Sequence, residues 1–465
     1  MTRIASERIA PLNDRAVKPR DYVLYWMQQS QRPAWNDALD FAAERANKLR
    51  QPLLVAFGLT DDYPDANARH YRFMLQGLRE TQAALETRGI RMVVQRGSPE
   101  RVALDLARHA SLVVCDRGYL RHQRQWRDAV ADGAGVQVVE VEADAVVPVE
   151  VASDKLESAA RTLRPKIERQ LDRFLVKPRA VSLRKDSLHL QPPGIDLGDV
   201  DAALASLKID RTVPPSPLFT GGPLQAEKLL RRFITRKLPR YDAHRNQPQT
   251  DDVSYMSMYL HFGQISPVRV ALAVRGAEAG DNSAAFLEEL IVRRELAFNF
   301  VWHCPQYDTF DCLPAWAKAT LQQHQRDKRP HRYSPAQLDA AATHDPYWNA
   351  AMNEMKHTGY MHNHMRMYWG KKILEWSRTP QQAYAAALAL NNRYFLDGRD
   401  PASYANVAWL FGMHDRPWPQ RPIFGTVRSM TASGLKRKCD IEAYVAKVNR
   451  LTASLTTHPA GTSRS

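Results

Sequence analysis

The chain has 465 residues, 44% of them hydrophobic, with 65 lysines and arginines against 50 aspartates and glutamates, a formal charge of +15 and an isoelectric point near 9.7. Length and apolar content exclude a disordered or fibrous protein and favour two or three folded domains, no apolar stretch reaches the ~18 residues of a membrane span, and the polar N-terminus lacks the apolar core of a secretory signal. The basic excess favours a polyanionic partner such as nucleic acid, and the four scattered cysteines (Cys115, Cys304, Cys312, Cys439) form no CxxC pair, which argues against a disulfide framework and for a reducing cytoplasm.

In chain order, the run YVLYWM (22–27) reads as a short buried strand, followed by a helix over 37–49. PLLVAFGL (52–59) is a second strand, 71–87 a second helix, and 92–95 a third strand. A helix over 100–109, a strand at 111–115, a helix over 122–132 and a strand at 136–141 complete the pattern. Strands alternating with helices indicate βαβ units and a parallel sheet covered on both faces. No GxGxxG follows the first strand, so the fold is Rossmann-like without the dinucleotide fingerprint. From about residue 148 the strand signals fade. A charged helix is expected over 154–175, and 177–217 has the Pro, Asp and Ser content of a connector. Beyond residue 224 the pattern is helical and rich in aromatics and methionine, ending in a small polar tail from Thr452. The expected division is a flexible leader over 1–18, an α/β domain over 19–150, a connector over 151–217, an all-helical domain over 218–450, and a flexible tail over 451–465.

Four segments carry candidate chemistry. In NHMRMYWGKKILEWSR, Arg366, Trp369, Ile373 and Trp376 share one helix face. Such a stripe is usually core, but an arginine on it needs a buried partner, and Asp397 or Asp400 of the DGRDP turn is within sequence reach. Taken alone, the same turn reads more simply as ordinary loop punctuation. Ser254 and Ser257 near a helix start suit either a phosphate or a plain cap. Glu288 and Glu289 are adjacent and so point to different sides of a helix over 286–300; either both are surface charges, or one is solvated and the other faces a cavity, where burial would favour a neutral, hydrogen-donating acid. His357, His362 and His364 lack a carboxylate or cysteine at metal spacing, so no metal is expected. There is no GxxxxGK[ST] and no GxSxG.

Longer blocks go further. DYVLYWMQQSQR, SYMSMYLHFGQISPVRVA, EELIVRRELAFNFVWH, HDPYWNAAMNEMKHTGYMHNHMRMYWGKKILEW, LNNRYFLDGRDPASYANVAWLFGMHD and RPIFGTVRSM together resemble the class II photolyases, the similarity running from about Val17 to Lys447. The resemblance implies an N-terminal α/β domain joined to an all-helical FAD-binding domain. It implies light-dependent repair of cyclobutane pyrimidine dimers, one electron passing from excited, reduced, anionic FAD to a dimer flipped out of the DNA. It assigns Tyr241, Ser254, Tyr255, Met256 and Ser257 to the FAD phosphates and ribityl chain, Arg366, Asp397 and Arg399 to the flavin surroundings, and Asn391 to flavin N5. Trp369, Trp348 and Trp376 match an electron-transfer triad. Glu289 matches the acid that contacts the dimer, and Met367 and Trp409 its apolar walls. Arg293 stands where some relatives have a tryptophan, leaving either Arg293 or Trp302 as the second wall. Arg428, Lys436, Arg437 and Lys438 are candidate phosphate contacts. The expected partner is UV-damaged DNA, double- or single-stranded, bound by a cytoplasmic monomer that associates with the nucleoid. An antenna chromophore of deazaflavin or folate type, and activity on (6-4) lesions, are left open. The competing readings are a cryptochrome-like photoreceptor and a non-enzymatic nucleic-acid-binding protein.

Overall fold

Strands β1 (Ile9–Pro11), β2 (Tyr22–Trp26), β3 (Leu53–Leu59), β4 (Arg91–Arg96), β5 (Ala110–Asp116) and β6 (Val138–Val141) form one sheet in the order β1-β6-β5-β2-β3-β4. The computed structural model describes residues 4–457. β2, β3 and β5 are buried at every position. A parallel strand covered by helices on both faces has no solvent side, which is why these segments read as unbroken apolar runs. The first crossover helix, Asp37–Leu49, starts where the Asn36 side chain accepts from Leu39 N at 3.1 Å, an ordinary amide cap. The chain leaves β2 for β3 and β4, then returns past β2 to β5 and β6. The gap between β2 and β5 is therefore a topological switch point, where open α/β sheets accept ligands at the carboxyl ends of their strands. There Asp116, ending β5, accepts from Tyr25 Oη at 2.6 Å and from the backbone N–H groups of Gln28, Gln29 and Ser30 at 2.9, 3.0 and 3.0 Å. That carboxylate fixes the loop leaving β2.

Several expected boundaries differ. The described part of the 1–18 leader is not flexible: β1 pairs antiparallel with β6, and buried Arg8 donates to the carbonyls of Glu142, Ala145 and Val146 at 2.9, 3.0 and 2.6 Å. The single charged helix expected over 154–175 is two short ones, Ala160–Glu168 and Leu171–Phe174; Pro165 inside the first supplies no N–H to continue its ladder. The connector is not a free linker. Its helix Val200–Ser206 and neighbours place Leu197, Val200, Leu204 and Leu207 in the core of the α/β layer. The tail from Thr452 continues the helix Ile441–Thr457, and the rest of the 451–465 segment lies outside the described residues.

Beyond Pro223 the described chain is helical. The helix expected over 286–300 contains a π turn, Glu288–Arg293, between Asp281–Leu287 and Arg294–His303, a feature often found at functional sites. The helical layer packs Trp348, Trp369 and Trp376 into one core. Buried polar contacts join the two layers: Arg32 Nη1 binds Asp144 at 2.7 Å and Gly263 O at 3.0 Å, and Glu295 accepts from Val146 N at 2.5 Å. Among the described residues no helix is long and apolar enough to cross a membrane.

Candidate functional site

Arg366 projects from the helix Asn363–Trp376, its Nη2 donating to both carboxylate oxygens of Asp397 at 3.0 Å and its Nε to Met361 O at 3.1 Å. Its guanidinium also stacks on the Phe395 ring at 3.8 Å. Of the two possible acidic partners, the structure selects Asp397. Asp400 caps the helix Pro401–Leu410 by accepting from Ala402 N at 2.8 Å, and it pairs with His261 at 3.2 Å. The ion pair lies in the wall of a cavity of about 1400 Å³ that is open to solvent at its mouth.

That cavity gathers much of what the sequence singled out. Tyr241, Ser254, Tyr255, Met256, Ser257, Glu289, Arg293, Arg366 and Asp397 all line it. The 254–257 segment turns through Tyr255 with φ 58°, a left-handed conformation that costs energy for a non-glycine residue and is common at ligand sites. The Tyr255 ring is held edge-on by Tyr360 at 4.8 Å and lies under Lys237 Nζ at 4.8 Å. Burial pushes the Tyr241 phenol up to about 12, Glu289 adding to the effect.

The adjacent glutamates divide as their spacing requires. Glu288 binds Arg164 and Arg293 at 2.8 and 3.1 Å, which holds its carboxyl below the usual range against the opposing effect of burial. Glu289 faces the cavity but is not an isolated buried acid. Arg245 Nη2 donates to it at 2.5 Å, and its side chain is 36% exposed, so the expectation of a desolvated neutral acid gives way to an ion pair. Arg293 lines the cavity while Trp302 does not; Trp302 is packed under Arg117 and Arg124 at 5.0 and 4.4 Å.

Other expected residues fall outside the cavity lining. Asn391 is buried, its amide donating to Asn392 Oδ1 at 3.0 Å. Asn406, on the helix Pro401–Leu410, is the asparagine of that block in the wall. Arg399 belongs to a different cavity, because its own backbone is left-handed (φ 65°) and sends the side chain away from Asp397. Met367 and Trp409 are partly buried beside the site without lining it. Trp409 sits between Lys371 Nζ at 5.4 Å and Arg428 at 5.7 Å. Lys436, Arg437 and Lys438 end the helix Ala432–Lys438. Burial first, and then Lys438 and Arg428, lower the pKa of His364, next to the cavity residue Asn363, so these two cations border the cavity.

His362 carries no sequence signal beyond its unsuitable metal spacing. It lines the cavity, and its Nδ1 accepts from His364 N at 3.2 Å. Burial, then His364, Lys447 and Arg366, push its pKa down to about 3, leaving a neutral ring. With Nδ1 accepting, Nε2 carries the proton, and that buried atom has no partner among the described residues. The Trp369 indole nitrogen is likewise buried and unpartnered. A cavity with an Arg–Asp ion pair, exposed Ser257 and donors waiting for acceptors fits an elongated polar ligand with a flat ring.

Three buried indoles lead away from Arg366. Trp369 is one turn further along the same helix, and Trp348 Nε1, from the helix Pro346–Thr358, donates to Trp369 O at 2.9 Å. Trp348 and Trp376 meet edge to face with ring centroids 5.6 Å apart.

The second cavity lies at the carboxyl ends of β2 and β3, lined by Trp26, Phe57, Tyr63, Tyr71, Trp126 and Arg399 among others. Trp26 Nε1, both amide atoms of Gln28, and Arg399 Nη1 are buried there without partners among the described residues.

Comparison with known proteins bears on both sites. Residues 23–183 match the family model described as DNA photolyase. The deoxyribodipyrimidine photo-lyase of Methanothermobacter thermautotrophicus is 50% identical over 449 residues, covering 96% of this chain and 99% of that one. Among solved structures, a class III photolyase from Agrobacterium tumefaciens aligns with a TM-score of 0.71 at 20% identity, covering 93% of this chain and 87% of that one. An archaeal photolyase from Sulfolobus tokodaii, solved with two FAD molecules, aligns with a TM-score of 0.69 at 16% identity over 92% and 89%.

Proposed function

The chain belongs to the DNA photolyase family, and from that premise we propose how its cavities and its tryptophans act. The protein is a deoxyribodipyrimidine photo-lyase: it splits cyclobutane pyrimidine dimers in UV-damaged DNA in the light. Its cofactor is FAD, which when reduced and excited by light supplies the single electron that opens the cyclobutane ring, and receives it back. The observation that carries the site assignment is the Arg366–Asp397 pair set in the wall of the helical-layer cavity.

Arg366 and Asp397 fix the flavin ring and its field, a charge-assisted contact in which Nη2 reaches both carboxylate oxygens while Nε is held by Met361 O. Tyr241 and the 254–257 segment receive the phosphates and ribityl chain, and His362 Nε2 donates to the cofactor from the wall. Trp376, Trp348 and Trp369 carry electrons inwards to the flavin. In this assignment Asn391 keeps at most an indirect role through the turn that bears Asp397. A dimer is poorly stacked, so extruding it from the duplex costs less than flipping a normal base. Glu289, at the mouth, contacts the dimer edge, with Arg245 orienting its carboxylate. Met367 and Trp409 flank the lesion, and Arg293 stands at the second wall. Arg428, Lys436, Arg437 and Lys438 hold phosphates of double- or single-stranded DNA, and the enzyme acts as a cytoplasmic monomer, nucleoid-associated when bound. The second cavity suits a flat antenna chromophore of deazaflavin or folate type, with Arg399 among its contacts. The long motif blocks support class II membership. Purified protein should be yellow, and blue or near-UV light should clear dimers from an irradiated oligonucleotide; colourless protein that leaves the dimers in place would refute the assignment.

A further inference from the structure

Lys371, on the helix Asn363–Trp376, is 0% exposed. Its Nζ donates to the backbone carbonyl of Leu410, the last residue of the cavity-wall helix Pro401–Leu410. The two helices pass closely there: a Cβ on the neighbouring Gly370 would stand 2.1 Å from Leu410 Cδ1. The same Nζ lies 5.4 Å from the centre of the Trp409 ring. Arg428 reaches that ring at 5.7 Å and the Trp418 ring at 4.8 Å.

A cation at a helix C-terminus binds a last carbonyl and suits the negative end of the dipole. A neutral donor would serve as a cap alone, and an ammonium taken wholly out of water is costly unless its charge is compensated. The acid that faces Lys371, Asp415, acts through space without a hydrogen bond, whereas the Trp409 ring offers the ammonium a π face. Lys371 lines neither cavity and is closed to solvent, so it touches neither DNA nor cofactor.

We propose that Lys371 is a positioning residue for lesion recognition: its buried ammonium ties the end of the helix Pro401–Leu410 and holds the Trp409 indole in the orientation that meets a flipped-out dimer. The inference rests on the reading of Trp409 as a wall of the lesion site. Trp409 is only partly buried, so the cation on its inner side supplies a restraint that packing alone does not. Burial pushes the Lys371 pKa down to about 7; Asp415 opposes that shift and Arg428 reinforces it. The restraint is therefore strongest on the acid side of neutrality and fades as pH rises and the ammonium loses its proton.

The test measures dissociation constants of the FAD-loaded protein for a dimer-containing duplex and for the same duplex undamaged. Lys371→Gln keeps a donor for Leu410 O and removes the charge. It should weaken the damaged duplex by roughly threefold to thirtyfold, the range of a desolvated cation–π contact, and leave the undamaged duplex unaffected. Lys371→Met, which fills the space without a donor, should lower the preference for damage at least as far. In a Trp409→Leu background, Lys371→Gln should add little, because the two residues act as one unit. The wild-type preference should decline between about pH 6 and 8.5, either side of the Lys371 pKa, and should be flat in Lys371→Gln. Bound flavin content reports that each variant is folded. A preference unchanged by Lys371→Gln, or lowered equally with and without the Trp409 indole, overturns the proposal. So does a flat wild-type pH profile, which needs no variant to fold. Trp409→Leu that by itself leaves the preference intact removes the lesion-wall reading as well.

Discussion

Trp348 Nε1 donates to the backbone carbonyl of Trp369 at 2.9 Å, so the middle indole of the relay is tied to the first residue's main chain. The bond sets the ring's orientation without requiring the two indoles to stack. It also satisfies the Trp348 indole N–H in a core that excludes water, whereas the Trp369 indole nitrogen has no partner among the described residues.

Trp348→Phe should therefore break the relay more severely than it harms the fold. Loss of the hydrogen bond and a small cavity together cost about 1–3 kcal/mol. Flavin content should persist while photoreduction is lost. Flash spectroscopy beside a denaturant unfolding curve separates the two effects, and undiminished photoreduction would remove Trp348 from the relay.

The Arg366–Asp397 pair is nearly enclosed, with side chains 17% and 10% exposed. Truncating one partner of such a pair leaves the other charge uncompensated, at a cost of about 3–5 kcal/mol. Asp397→Ala should lower the unfolding midpoint and yield protein that loses flavin on gel filtration. Asp397→Asn, which retains an acceptor, should do less of both. Equal flavin retention in wild type and Asp397→Ala would place the cofactor elsewhere.

Glu289 pairs with Arg245 at the partly exposed cavity mouth, where an ion pair contributes only about 0–1 kcal/mol. Glu289→Ala should leave stability and flavin content almost unchanged while cutting the repair yield per absorbed photon. If flavin is released instead, the residue belongs to the cofactor rather than the lesion.

How far these sites were legible in sequence follows from physical locality. The β2, β3 and β5 strands announced themselves because burial on both faces demands unbroken apolar runs. β1 did not, since three residues paired to a strand far along the chain leave no local signature. The π turn at Glu288–Arg293 was invisible because six residues are too few to separate its period from that of an α-helix. Arg399 was assigned to the flavin with its turn neighbour Asp397, but a left-handed backbone at Arg399 sends the two side chains into different cavities. Asn391 and Asn406 lie in one motif block, and only the packing of the helix Pro401–Leu410 decides which faces the cavity. The sequence around His362 offers metal spacing alone as a signal; its burial and unpartnered Nε2 exist only in three dimensions.

His362 sets an acid limit. Its folded-state pKa, about 3, lies below the ordinary 6.5. Between those values the unfolded chain binds a proton that the folded one does not, so stability rises with pH across the window and is lost as pH falls. Acidification from pH 6.5 towards 4 should weaken the fold and release flavin, and His362→Gln should flatten that slope. Parallel unfolding curves for the two proteins across this range would show that His362 is not the titrating group.

The basic residues beside the cavity make a prediction about salt rather than pH. Lys436, Arg437 and Lys438 are exposed at the end of one helix, and each that neutralises a phosphate releases a counterion. Binding to dimer-containing duplex should fall steeply with salt. Replacing any one of the three by alanine should reduce the slope of log K against log salt by about one. It should weaken damaged and undamaged duplex alike, because a phosphate contact carries no information about the lesion. Glu289→Ala should do the reverse, weakening the damaged duplex selectively and leaving the salt slope intact. Lysine variants that shift the preference for damaged DNA without moving the salt slope would mean that this helix reads the lesion instead of holding the backbone.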